Sequence, residues 1–166
     1  MNEILIFTDG SSKGNPGPGG YGAIVVNHSH VTELGGTDPH TTNNRMELTG
    51  AIKALEFIKK ESGSLSIKVF SDSQYVIKGM TEWLANWQKK NWRTANKKPV
   101  LNQELWIMLA DLAQNLKIEW KYVAGHAGHD ANERCDTIAT SFADGNPVPL
   151  FSGDIKNYSI KISEKK

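Results

Sequence analysis

The sequence predicts one mixed α/β domain (α+β type), built on a five-stranded sheet with helices on both faces. Three β-rich stretches come first. A helix, a strand, two helices, a strand and a final helix then follow, and this order predicts three antiparallel strands followed by parallel ones. The 166 residues, of which 39% are hydrophobic and 22% charged, match the size and balance of a single globular domain.

The first three strands are predicted from short apolar runs separated by turn residues. Residues 4–7 form the apolar run ILIF, and the glycine-rich GNPGPGGYG separates it from a second β-rich stretch at residues 21–26. Residues 28–30 form the next predicted turn, and residues 31–36 the third strand. Consecutive β segments with such punctuation predict an antiparallel meander.

The helices are predicted from apolar spacing and capping residues. Apolar residues recur at helical spacing from Asn44 to Lys60, and Thr81 and Asn102 are predicted caps of later helices. A helix is also predicted at residues 73–78, and strands at 67–70 and 117–123. Asp130 and Glu133 resemble a capping box that opens the last helix, which ends near residue 143.

The chain divides at the end of that helix. Residues 1–144 form the predicted domain, with a basic protrusion at about 81–99. Residues 145–166 lose periodicity and gain Pro, Gly and Lys, so we expect a flexible tail, with pairing of the segment YSIKI as an edge strand as the alternative.

Composition limits the surfaces, disulfides and membrane segments that the protein can have. The net charge is only +1, so any nucleic-acid surface must come from local clustering. The single cysteine, Cys135, cannot form a disulfide within the chain, and no apolar stretch approaches the roughly 18 residues of a membrane span. A cytoplasmic monomer is the expectation.

Four carboxylates stand at predicted element ends: Asp9, Glu47, Asp72 and Asp136. Taken singly, each has an ordinary interpretation as a turn residue, a capping residue or a solvated helix residue. If folding gathers them, their repulsion calls for divalent cations, and oxygen ligands favour Mg²⁺ or Mn²⁺. The hypothesis is a metal-dependent phosphodiester hydrolase.

Two histidines stand in VAGHAGHDANE. Their close spacing only weakly indicates a zinc site, because the only cysteine falls in a helix and no second pair of ligands completes a tetrahedral site. His126, on a glycine-flanked loop, is equally a proton shuttle or a passive surface residue, while His129 is predicted to be structural.

The glycine-rich segment lacks the GK[ST] ending of a phosphate loop and precedes a strand, which argues against a nucleotide pocket. Its better interpretation is a tight turn that lets a sugar-phosphate chain approach Ser11 and Asn15 closely. Asn43, Asn44 and Gln74 add amides that can donate and accept, which is what recognition of a ribose 2′-hydroxyl requires.

Residues 83–98 contain three of the five tryptophans and five basic residues, with no acidic residue. Basic runs are usually solvated faces, and Trp83 and Trp87 have the spacing of core residues. Their interleaving favours a nucleic-acid surface, in which the rings pack the segment and the lysines flank a phosphate backbone.

From about residue 4 to 143 the chain resembles bacterial type 1 ribonuclease H. The motifs FTDGS, GNPGPGGYGA, TTNNRMEL, SDSQYV, KKPV-x-N and GHAGH-x2-NERCD occur in that family's order and spacing. The resemblance implies a ribonuclease H-like fold. It also implies hydrolysis of the RNA strand in RNA–DNA hybrids, leaving 5′-phosphate and 3′-hydroxyl ends. An integrase-like strand transferase and a non-catalytic hybrid-binding module are the alternatives.

The resemblance also implies roles for individual residues. Asp9, Glu47, Asp72 and Asp136 would hold two Mg²⁺ ions, with Mn²⁺ as a possible substitute, and His126 would assist proton transfer. The residues implied in hybrid binding are Gly10, Ser11, Asn15, Asn43, Asn44, Gln74, Trp83, Lys89, Lys90, Trp92, Lys97 and Lys98. The chain departs from the family pattern at Gln88, often lysine, and at Asp130 with Ala131, often Pro-Glu.

Overall fold

The computed structural model describes residues 3–59, 66–124 and 129–163. The strands are β1 (Glu3–Ser12), β2 (Gly17–Asn27), β3 (His30–Thr41), β4 (Ser66–Ser71), β5 (Lys117–Tyr122) and β6 (Ser152–Asp154). The α-helices are α1 (Asn43–Ile58), α2 (Gln74–Lys78), α3 (Leu84–Lys89), α4 (Gln103–Ala113) and α5 (Asp130–Ala143). A π-helical turn, Gly79–Trp83, joins α2 to α3, and a 3₁₀ turn, Ile155–Asn157, follows β6.

The strands form one mixed sheet in the order β5-β4-β1-β2-β3-β6. The pairs β1–β2, β2–β3 and β3–β6 are antiparallel, whereas β4 runs parallel to both β1 and β5. This architecture confirms the mixed α/β prediction. The predicted count of five strands is wrong by one, because β6 adds a sixth strand at the edge beside β3.

The first and third strands extend beyond their apolar runs. Strand β1 continues to Ser12, so Asp9 lies inside the strand and not just past its end. Its partner there is Gly22 of β2. Strand β3 likewise includes most of the polar stretch TDPHTT, which pairs with β2 as far as Thr41 and Gly17. Pairing with a neighbouring strand therefore sets these boundaries, and the loss of hydrophobicity does not.

The capping residues differ from those predicted. Thr42 caps α1 by accepting from the Arg45 N–H, and His129 caps α5. Asn102 has a left-handed backbone, with φ of 60°, and its side chain makes no cap bond to α4. Thr81 lies in the π-helical turn and does not start a helix, since α2 and α3 run on through that turn.

The sheet divides the core into two layers. Ile4 and Ile6 face the layer that contains α1 and α4, whereas Phe7 faces the layer that contains α5. The alternation of side chains along a strand produces this division. Because α1 and α5 cover opposite faces of β1, they can bring side chains to the same end of that strand from both sides.

Helix α5 approaches the sheet closely over glycines of β2. A Cβ atom on Gly22 would lie 2.5 Å from the carbonyl oxygen of Cys135, and one on Gly20 would lie 2.4 Å from that of Ala139. Real Cβ atoms do not come so near, so glycine at both positions is what permits this helix depth.

The C-terminal segment packs against the domain through Phe151, Ile155, Tyr158 and Ile162, and its predicted flexibility stays a prediction. Strand β6 pairs with residues 30–32 of β3, and the Tyr158 ring contacts the Phe151 ring at a centroid distance of 4.9 Å. The segment YSIKI is not the paired strand. The predicted division of domains at residue 144 remains a prediction. Among the described residues, no helix combines the length and apolar character needed to cross a membrane.

We expect Gly22→Ala to lower the free energy of unfolding by about 1 to 3 kcal/mol, because the added methyl group must push α5 away from β2. Gly50→Ala is the matched control: its Cβ would lie 3.3 Å from the nearest atom, and alanine favours the helix. Urea denaturation compares both variants with the native chain. Equal stability for the two variants would contradict the packing argument.

Candidate active site

Three carboxylates converge at one edge of the sheet. Asp9 on β1, Glu47 on α1 and Asp72, which follows β4, each offer an oxygen, and these oxygens lie within 4.8 Å of one another. Strands β1 and β4 are parallel neighbours, so their carboxyl ends meet at the same edge, and the first turns of α1 lie above it. The fold therefore brings together three of the four acidic residues predicted from the sequence.

Gly10 allows α1 to approach β1 closely enough for this convergence. A Cβ atom on Gly10 would lie 2.4 Å from the backbone nitrogen of Glu47 and 2.4 Å from the carbonyl carbon of Met46. No other residue fits in this space without moving α1. The Gly10 N–H also donates to Asp9 Oδ1 at 2.9 Å, which helps to orient that carboxylate.

Asp136 approaches the cluster from the opposite face of the sheet. It lies in the second turn of α5 and is partly buried. Its charge and a side-chain hydrogen bond act on the Asp9 carboxyl, although it is not one of the three residues grouped within 4.8 Å. The fourth predicted carboxylate thus faces Asp9 but stands at the margin of the cluster.

Burial and repulsion from neighbouring carboxylates raise the pKa values of Asp9 and Glu47. Burial, followed by the charge of Asp72, raises the pKa of Asp9 to about 8, and the Gly10 N–H only partly opposes this. Burial, followed by the charge of Asp9, also raises the pKa of Glu47 well above its ordinary value. Ionisation of both Asp9 and Glu47 near neutral pH therefore requires added positive charge.

The residues fit a divalent cation. Glu47 Oε1 is buried and has no hydrogen-bond partner within the part of the chain that the structure describes. Burying a carboxylate oxygen without a partner is energetically unfavourable, and a bound cation can be that partner. The donor set consists only of carboxylate oxygens, which suit Mg²⁺ and Mn²⁺ better than zinc or copper.

The structure describes His129 but not His126. His126 lies outside the described residues, so its predicted role as a proton shuttle stays a prediction. His129 is buried, and its Nδ1 accepts from the Asn132 N–H at 3.4 Å as the cap of α5. Its ring also packs against the Phe7 ring at a centroid distance of 5.5 Å. These contacts are structural, as the sequence predicted.

A groove beside the acidic cluster brings together several of the predicted hybrid-binding amides. Asn15, Asn43 and Asn44 line it. The Ser12 N–H donates to Asn43 Oδ1 at 2.6 Å and so connects the end of β1 to the start of α1. The other lining residues are Ser12, Gly14, Thr42, Leu101 and Asn102. Gln74 is exposed at the start of α2, outside the set that lines the groove.

Sequence reasoning missed a polar network behind this groove. Arg45 donates to Asn102 Oδ1 at 3.1 Å and to Glu104 Oε2 at 2.9 Å, which connects α1 to the start of α4. The Tyr75 hydroxyl in turn accepts from Asn102 at 3.1 Å and from Trp106 at 3.0 Å. The partners lie 27 to 59 positions apart in the chain, so no local pattern could have revealed them.

In the basic protrusion the rings pack inward and the lysines face solvent. The Trp87 ring lies 5.7 Å from that of Trp83, 6.1 Å from that of Trp92 and 5.1 Å from that of Trp106. The exposed basic residues are Lys89, Lys90, Arg93, Lys97 and Lys98. This arrangement agrees with rings that support the segment, while the binding roles predicted for Trp83 and Trp92 stay predictions.

Comparisons with known proteins converge on one family. The family model described as RNase H matches residues 1–144. Ribonuclease H of Thiobacillus denitrificans is 54% identical over 136 residues, 82% of this chain and 90% of that protein. Ribonuclease H of Shewanella loihica is 48% identical over 153 residues, 92% of this chain and 95% of that protein. The crystal structure of LC9-RNase H1 superimposes with a TM-score of 0.81 at 27% identity, covering 94% of this chain and 80% of that one.

The raised pKa of Asp9 predicts how stability varies with pH in the absence of metal. Its folded pKa, about 8, lies above the ordinary value of 3.8. The protonated carboxyl therefore contributes stability that is complete below about pH 4 and is lost as the pH rises toward 8. Because each tenfold change in ionisation corresponds to about 1.4 kcal/mol, Asp9→Asn should raise the free energy of unfolding at pH 8 by roughly 1 to 3 kcal/mol.

Urea titrations in EDTA at several pH values measure this difference. The gain from Asp9→Asn should shrink as the pH falls toward 4. A variant that is no more stable than the native chain at pH 8 would show that the cluster carries no buried repulsion.

Proposed function

Because the chain belongs to the ribonuclease H family, we propose that it binds RNA–DNA hybrids and cleaves their RNA strand internally, leaving 5′-phosphate and 3′-hydroxyl ends. The chain is an enzyme of the ribonuclease H class, which is metal-dependent. The observation that carries the proposal is the convergence of Asp9, Glu47 and Asp72 within 4.8 Å at one edge of the sheet. A buried acidic cluster short of positive charge is suited to phosphodiester hydrolysis.

In this proposal Asp9, Glu47, Asp72 and Asp136 hold two Mg²⁺ ions, for which Mn²⁺ can substitute. Bound ions of this kind stabilise charge on the attacking and leaving oxygens of an in-line displacement. The chain itself supplies the placement. Gly10 sets the depth of α1 and therefore the reach of Glu47, while Asp136 approaches Asp9 from α5. His126 is proposed to carry a proton to or from the reacting water.

Recognition of the RNA strand is proposed for the groove beside the cluster. Asn15, Asn43 and Asn44 present amides that can donate to and accept from a ribose 2′-hydroxyl, the group that distinguishes RNA from DNA. Gly10, Ser11 and Gln74 are proposed to extend this surface. The groove lies next to the carboxylates, because the Ser12 N–H and Asn43 join the end of β1 to the start of α1.

The basic protrusion is proposed to hold the DNA strand. Lys89, Lys90, Lys97 and Lys98 are exposed and can neutralise phosphates. The packed rings at residues 83, 87 and 92 hold the segment that presents these lysines, and Trp83 and Trp92 remain partly exposed for contact with the nucleic acid.

We expect Asp72→Asn to lower the rate of hybrid cleavage in Mg²⁺ by at least about 100-fold, because loss of a carboxylate weakens metal binding at the site. Hybrid affinity should stay within a few-fold of the native value. Asp111→Asn on the exposed face of α4 is the matched control and should cleave normally.

The measurement incubates each protein with labelled hybrid, double-stranded RNA and duplex DNA of the same sequence and identifies the product ends. Hybrid binding without cleavage by the native chain would favour a non-catalytic module. Joining of DNA ends would favour a strand transferase.

We expect the double substitution of Lys89 and Lys90 by Ala to weaken hybrid binding and to reduce the slope of log affinity against log salt by about 1 to 2, as each lost phosphate contact contributes about one. The cleavage rate at saturating hybrid should change little. The control substitutes Lys53 and Lys59, two exposed lysines of the α1 region, by Ala. Equal salt slopes for the two double variants would remove the protrusion from the binding surface.

A further inference from the structure

The Glu33 carboxylate is buried in β3, with a side chain that is 1% exposed. It accepts four hydrogen bonds. Arg134 donates through Nε to Oε2 at 2.8 Å and through Nη2 to Oε1 at 2.9 Å. The Phe151 N–H donates to Oε1 at 2.9 Å, and the Tyr158 hydroxyl donates to Oε2 at 2.6 Å. Arg134 and the C-terminal segment thus satisfy both carboxylate oxygens.

This buried ion pair joins three parts of the chain that are distant in sequence. Glu33 belongs to β3, Arg134 to α5, and Phe151 and Tyr158 to the C-terminal segment. Arg134 also donates to the Pro149 carbonyl at 3.0 Å. The guanidinium therefore has fixed partners on two sides, and its two parallel bonds to one carboxylate fix the orientation of its plane as well as its position.

Helix α5 is held on the sheet by contacts along its inner face, and the Arg134–Glu33 pair adds a contact at the side of that face. The close approach to Gly20 and Gly22 sets its depth on the sheet, and the bond from Cys135 Sγ to the Phe7 carbonyl, at 3.3 Å, lies on its inner face. Arg134 and Asp136 flank Cys135 on opposite sides of that face, since successive helical residues are about 100° apart. A force that turns the helix at Arg134 therefore moves Asp136.

A small rotation of α5 is enough to displace the Asp136 carboxylate. A side chain reaches about 5 Å from the helix axis, so a rotation of about 10° moves the Asp136 carboxylate by about 1 Å. Displacements of that size are enough to impair a site whose ligands must meet at one ion. Asp136 stands at the margin of the cluster and contacts it through Asp9, so its distance is the one most sensitive to the rotation of α5.

We propose that Arg134 is a positioning residue: its forked bond to Glu33, closed by Tyr158 of the C-terminal segment, fixes the rotation of α5 and thereby the distance of Asp136 from Asp9 and Glu47. The C-terminal segment is then part of the support of the active site. This inference rests on the proposed function only in treating Asp136 as a metal ligand.

The test measures Mn²⁺ binding to the free protein by calorimetry, without nucleic acid. Arg134→Lys keeps the charge but loses the fork, and we expect it to raise the dissociation constant for Mn²⁺ by about tenfold, the size of effect seen when residues that orient ligands are changed. Tyr158→Phe should shift it in the same direction by a smaller factor. Leu109→Val in α4, far in sequence from α5 and fully buried, is the control for a general loss of stability.

A second background separates positioning from a merely structural effect. If Arg134 acts through Asp136, Arg134→Lys should not weaken Mn²⁺ binding further once Asp136→Asn is present. Unchanged Mn²⁺ affinity in both Arg134→Lys and Tyr158→Phe would overturn the proposal. So would an equal loss in the Asp136→Asn background, or an equal loss in Leu109→Val. If Arg134→Lys does not fold, Tyr158→Phe decides the outcome alone.

Asp9→Asn serves as the reference for the metal site. If Asp9→Asn binds Mn²⁺ as the native chain does, the acidic cluster is not the metal site and the proposed function fails. If Asp9→Asn abolishes Mn²⁺ binding but Arg134→Lys changes nothing, the proposed function stands and only the positioning role falls.

Discussion

The forced proximity of carboxylates in the C-terminal half of β1 is the constraint around which this molecule is arranged. Asp9, Glu47 and Asp72 lie together in a partly buried place, where ionisation of Asp9 and Glu47 is unfavourable and Glu47 Oε1 has no hydrogen-bond partner within the described chain. Hydrophobic packing elsewhere must compensate for that cost. Burial of the two core layers supplies this stabilisation. The close contact of α1 with Gly10 then holds Glu47 beside Asp9.

The sequence could predict the carboxylates because their residue types, in that combination, have few uses. It could not predict how they are distributed between the faces. Asp9 lies within a strand and not at its end, because pairing with Gly22 of β2 extends β1 past its apolar run. Such pairing is a long-range property, and hydrophobicity along the chain contains little information about it.

The helix caps and the polar network behind the groove show the same contrast between local sequence patterns and long-range contacts. Asn102 had the residue type of a helix cap, yet its side chain accepts from Arg45 and donates to Tyr75 instead. Likewise, Glu33 had the pattern of an ordinary strand residue, and the three residues that donate to its carboxylate lie more than 100 positions away in the chain. Local patterns predicted element types well, but tertiary contacts decided which polar side chain met which partner.

Strand β6 has a consequence for the solubility of the protein. An uncovered outer strand presents free N–H and C=O groups that can pair with a second molecule, the usual start of edge-to-edge aggregation. Residues 152–154 occupy part of that edge along β3, and the Glu33 N–H bonds to the Phe151 carbonyl at 2.8 Å just beyond it. A chain that proteolysis shortened before Phe151 would therefore expose the N–H and C=O groups along residues 30–33 of β3 for pairing with a second molecule.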